Sequence, residues 1–113
     1  MISMRKHLKA LSIFLLFSAG NLVQAANQEV EIRIRDHLFF PSTVEVPAGQ
    51  KIRLLIINED ATPEEFESYE LNREKVITGN SRTVIFIGPL QAGEYPFFGE
   101  FYPRTAQGRV IAR

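Results

Sequence analysis

The 113-residue sequence contains no cysteine, and its two methionines, Met1 and Met4, both lie at the very start. Without cysteine the chain has no disulfide to constrain it, so a folded domain must stand on buried apolar surface, worth roughly 25 cal/mol per Å². Histidine is nearly missing too, with only His7 and His37. One imidazole in the body of the chain leaves no evident Ser-His-acid arrangement, and paired carboxylates alone are weak grounds for glycosidase chemistry. The longest apolar run, Leu8 to Ala19, holds about 12 residues where roughly 20 are needed to span a bilayer. With Arg5, Lys6 and Lys9 as a basic start and Val23-Gln24-Ala25 following, it reads as a signal peptide cleaved after Ala25. Residues 1–25 are therefore expected to be a leader that exports residues 26–113 as the mature domain.

Positive charge is also short. Of 13 Lys and Arg, the leader takes three, leaving 10 against 13 Asp and Glu, all downstream. A mature chain of about −3 with no basic stripe argues against nucleic acid as a partner, because affinity there comes chiefly from neutralising phosphates. No helical period, internal repeat or low-complexity stretch is visible.

What is present is alternation. Val30, Ile32 and Ile34 alternate with Glu31, Arg33 and Arg35, the period of a strand with one buried face. Thr43 to Val46, the longer run KIRLLIIN at 51–58, SRTVIFI at 81–87, Glu94 to Phe98 and Arg109 to Ala112 read as further strands. Turns fall at Pro47-Ala48-Gly49-Gln50, Gly88-Pro89 and Gln91-Ala92-Gly93, where Pro fixes φ and Gly accepts positive φ. Between 59 and 72 a loop or helical turn is expected to lead into a strand. About seven short strands of this kind predict an all-β sandwich or barrel.

Six acids crowd residues 59–70: Glu59, Asp60, Glu64, Glu65, Glu67 and Glu70. Such density repels itself unless a positive charge offsets it. It reads either as a solvated loop countered by Arg73 and Lys75 or as a cation site. With Phe66 turned into the core, alternation puts Glu65 and Glu67 together on the other face, where two carboxylates can converge on one ion.

The order FFPSTVEVPAGQKIRLLIINED, then Gly93-Glu94-Tyr95 and an aromatic strand, resembles the cupredoxin fold over nearly the whole mature chain. The resemblance implies a cupredoxin-like Greek-key β-sandwich of about seven strands. It also places the Cys, second His and Met of a type-1 copper centre at Gly99, Tyr102 and Ala106, none of which can serve. Blue copper is excluded. The combination of TPEEFESYEL, EKVI, IGPL and FFGEF followed by TAQG is similar to the EfeO-type cupredoxin-like domain of bacterial periplasmic iron-uptake systems. That family often has His where Tyr69 and Tyr102 stand here. The resemblance implies an accessory that binds or helps oxidise iron, with copper as an alternative ion. Its partners would be an inner-membrane iron permease and other periplasmic uptake components, or a second copy of the chain as a homodimer.

In that architecture the strand after the acidic loop delivers the first ligand beside the C-terminal loop. Glu65 and Glu67 would then face Glu100 and Tyr102, giving an oxygen-rich set suited to Fe(III), Mn(II) or Ca(II). His37 reads either as a surface residue capping a turn and bonded to Asp36 or as one nitrogen ligand that brings Cu(II) within range. In the second case its loss should weaken copper and spare ferric ion. Catalysis by the isolated domain is not expected; ferroxidation would need partners. The rival expectation is a metal-free sandwich serving as a protein-interaction or assembly module.

Overall fold

The computed structural model describes residues 28–113; the expected leader lies outside them. Nine strands follow in order: β1 Gln28–Arg35, β2 Leu38–Phe40, β3 Thr43–Val46, β4 Ile52–Asn58, β5 Glu64–Ser68, β6 Arg73–Ile77, β7 Ser81–Ile87, β8 Gly93–Gly99 and β9 Gln107–Ala112. They form a sandwich of a four-stranded sheet, β2-β1-β4-β7, and a five-stranded sheet, β3-β9-β8-β5-β6. Two more strands exist than the seven or so expected. The additions are β2, only three residues long, and β6, an edge strand exposed at four of its five positions. A strand that short, or one with so little buried, carries no alternation to read.

The alternating segments fold as their pattern requires. In β4 the inward residues Ile52, Leu54 and Ile56 are wholly buried, while Arg53 on the opposite face is exposed. The β1–β4 pair is parallel, with Ile32 beside Ile56 and Ile34 beside Asn58. Between the sheets Phe66 stacks on Phe97 with ring centroids 5.0 Å apart, and Phe39 meets Phe97 edge-on at 5.0 Å. These three rings are the centre of the core, in geometries aromatic pairs prefer.

At the end of β4, Asn58 is buried and holds two loops together. Its amide nitrogen donates to the carbonyls of Thr62 at 2.9 Å, Ile77 at 3.2 Å and Thr78 at 3.3 Å, while its oxygen accepts from the Asp60 N–H at 3.0 Å. Beside it the chain passes Gly79 so closely to the Ala61 carbonyl that no Cβ fits. Asn58→Ala would leave several of these groups unpaired. It is expected to cost about 2–3 kcal/mol of stability in urea unfolding, with hydrogen exchange rising first at 60–62 and 77–80; a loss below about 0.5 kcal/mol would show that water replaces the amide without penalty.

Candidate functional site

Strand β5 carries the acidic run, and its two faces have different surroundings. Glu64, Phe66 and Ser68 point inward and are buried; Glu65 and Glu67 share the outer face. The expected pairing of Glu65 with Glu67 is therefore what the strand presents.

Outside, β5 lies between β6 and β8, and the register sets Glu67 directly opposite Glu74 on β6. Single carboxylate oxygens of Glu65, Glu67 and Glu74 come within 4.8 Å of one another. Like charges facing each other across a ladder are destabilising. The Glu67 carboxyl is accordingly held above its ordinary range, first by loss of surrounding water, then by a hydrogen bond with Glu74 and repulsion from Glu74, Glu65 and Glu100. The inaccessible Glu67 Oε2 has no hydrogen-bond donor. No salt bridge among the described residues reaches these acids. Arg73, a candidate counter-charge from sequence, donates to the carbonyls of Phe86 and Asn72.

Glu100 follows β8, and its N–H donates to the Glu65 carbonyl at 2.9 Å. It is near enough to raise Glu67 but stands outside the converging trio. His37 and Tyr102 form a separate group. Their rings stack at 3.5 Å with 13° between planes. The Asp60 carboxylate accepts from the Asp36 and His37 N–H groups, and His37 Nδ1 is 3.5 Å from Asp60 Oδ2. The His37 carbonyl accepts from Thr105 Oγ1 at 2.6 Å. Asp60, rather than the neighbouring Asp36, is the partner of this imidazole. Tyr69 is largely exposed, 73 % accessible, against Phe98.

Two acids were missed from sequence. Glu74 joins the cluster only through the β5–β6 register, which no local pattern reveals. Glu64 was counted in the acidic run, yet it is buried to 1 %. Its Oε1 accepts from the Glu65 N–H and the Phe101 N–H, each at 2.9 Å, and its Oε2 has no partner. The signal was the same alternation that set Glu65 and Glu67 outside: with Phe66 inward, Glu64 is inward as well.

The model for the cupredoxin-like domain matches residues 8–112. The chain belongs to this family. An uncharacterized protein of Rickettsia prowazekii (strain Madrid E) is 51% identical over 83 residues, covering 74% of this chain. The chain spans 66% of the length of that relative. Among solved structures, auracyanin A, a blue copper protein from Chloroflexus aurantiacus, superimposes with a TM-score of 0.66 at 13% identity, covering 77% of this chain and 99% of that one. Amicyanin from Paracoccus versutus gives 0.58 at 20% identity, covering 75% and 81%. The metal-binding domain of the Cu(I)-exporting ATPase CopA of Streptococcus pneumoniae D39 gives 0.66 at 14% identity, covering 78% and 87%. These likenesses establish the cupredoxin-like sandwich.

The residues of this cupredoxin-like domain do not fit a type-1 copper centre. A Cβ added to Gly99 would lie 2.5 Å from Glu64 Oε2 and 2.6 Å from the Ala106 Cβ. Gly99 and Ala106 are joined by a hydrogen bond from the Gly99 N–H to the Ala106 carbonyl at 2.8 Å. The places that resemblance assigns to Cys and Met are thus closed upon each other and upon a buried carboxyl group. No thiolate is available anywhere in the chain.

Proposed function

We propose that this cupredoxin-like domain is a periplasmic cation-binding accessory of bacterial iron uptake. It takes up a hard cation, iron foremost, on the outer face of β5 and passes it to an inner-membrane permease. The observation that carries this reading is the convergence of Glu65, Glu67 and Glu74 within 4.8 Å without a positive partner, beside Glu100. Carboxylate oxygens favour Fe(III), Mn(II) or Ca(II) over Cu(I), and a bound cation relieves repulsion that otherwise costs stability. The EfeO-type phrases TPEEFESYEL and FFGEF support iron as the ion and a permease as the recipient. The role is binding and transfer; oxidation of iron would require a redox partner.

Titrating the purified protein with ferric citrate, Mn(II) and Cu(II) tests the reading. Saturable binding in the range of about 10⁻⁵ to 10⁻³ M is expected, weakened at least tenfold by Glu65→Gln/Glu67→Gln/Glu74→Gln and less by Glu100→Gln. Absence of saturation, or equal affinity in the triple variant, would favour the second reading, a metal-free interaction module. That alternative draws on the closed Glu64, Gly99 and Ala106 arrangement, and on the exposed Phe101 near the His37–Tyr102 stack.

A further inference from the structure

The geometry points to Glu64 as an internal ligand: the space at the loop end of the sandwich is a receptor for a carboxyl group, and the chain fills it with its own side chain. Burying a carboxyl is unfavourable unless it is hydrogen-bonded. Here one oxygen takes two backbone donors from different elements, the Glu65 N–H at the start of β5 and the Phe101 N–H in the loop between β8 and β9. The other oxygen has no partner and lies against Gly99, where a Cβ would meet it and the Ala106 Cβ alike. Glycine at 99 and alanine at 106 leave room for the group that occupies the space. The adjacent Glu100 N–H also returns to β5, through the Glu65 carbonyl. Residues 100 and 101 are therefore anchored to β5 by one backbone contact and one carboxyl contact.

This assignment goes beyond the outer cluster and needs no cation. The carboxyl bridges the strand and the loop, with protein atoms as both ligand and receptor. Glu64 is accordingly a positioning residue for the loop carrying Phe101, Tyr102 and Thr105, and its role stands or falls separately from metal binding by Glu65, Glu67 and Glu74.

Glu64→Ala removes a fragment with the heavy atoms of acetate, so sodium acetate is the probe. Acetate is expected to raise the Tm of Glu64→Ala saturably, by about 5 °C or more at ten times its Kd, relative to sodium chloride at equal ionic strength. The native chain, whose receptor is full, and Glu64→Ala/Gly99→Ala, whose receptor is narrowed, should not respond. The Phe101 amide resonance should shift with the same saturation curve. No difference between acetate and chloride on folded Glu64→Ala, or an equal response from the native chain, overturns the assignment. A second arm does not depend on that variant folding. Glu64→Asp draws the carboxyl back by one methylene, so Gly99→Ala should perturb the folding equilibrium constant at least tenfold less in the Glu64→Asp background than in the native one. Equal cost in the two backgrounds overturns the assignment.

Discussion

Phe66→Ala is expected to remove a large share of the stability of the domain, about 3–5 kcal/mol. Phe66 is fully buried on the inner face of β5, stacked on Phe97 at 5.0 Å and edge-on to Phe39 at 6.3 Å. Truncating a ring in such a place loses its transfer free energy and leaves a cavity, together about 3–5 kcal/mol. Total stability for a domain of this size is of order 0.05–0.15 kcal/mol per residue, roughly 4–13 kcal/mol. With no disulfide to limit the unfolded chain, the loss has no other support. Urea unfolding should show a lower midpoint with an unchanged slope. The exposed Phe101, 47 % accessible, is the control, and Phe101→Ala should stay within about 0.5 kcal/mol. Equal effects at the two positions would mean that the core is not centred on these rings.

The contrast between those two phenylalanines shows how far the sequence carries. Alternation identified the strands with one wet face and put Phe66 inside, because side chains of a strand must alternate wherever one face is buried. It read Glu65 and Glu67 as neighbours for the same reason. It gave no warning of Glu74, since that acid reaches Glu67 through the pairing of two strands around the Tyr69–Asn72 turn, where the Asn72 N–H donates to the Tyr69 carbonyl. Glu64 was overlooked for another reason. Carboxyl groups are seldom buried, and of the two N–H groups that make burial of this one acceptable, that of Phe101 comes from 37 residues further along the chain. The loop end itself was half legible: loss of Cys, His and Met at positions 99, 102 and 106 excluded blue copper, while the group taking up the space lay on another strand.

Cation binding should also appear in the pH dependence of stability. Glu67 is held above its ordinary value of 4.5, chiefly by desolvation and then by Glu74, Glu65 and Glu100. The folded domain therefore keeps this proton to higher pH than the unfolded chain does. Its stabilising contribution is present in acid and is lost as pH rises from the unfolded value through the folded one. Glu59 acts in the opposite sense. Its hydrogen bond from Arg35, with further attraction from Arg35 and Arg33, lowers its pKa, so its contribution is present above the unfolded value and disappears as pH falls through the folded one. At neutral pH without metal, Glu67→Gln should thus raise Tm relative to the native chain, and the advantage should vanish in acid. A cation does at neutral pH what the proton does in acid. At one hundred times its Kd, bound metal is expected to raise the Tm of the native chain by about 10 °C or more. The rise should shrink towards pH 4, where protons compete for the same oxygens, and should be absent from the triple Gln variant. A metal-induced rise that persists unchanged in acid would place the ion on other ligands. An advantage of Glu67→Gln that persists in acid would show that packing, rather than repulsion, separates it from the native chain.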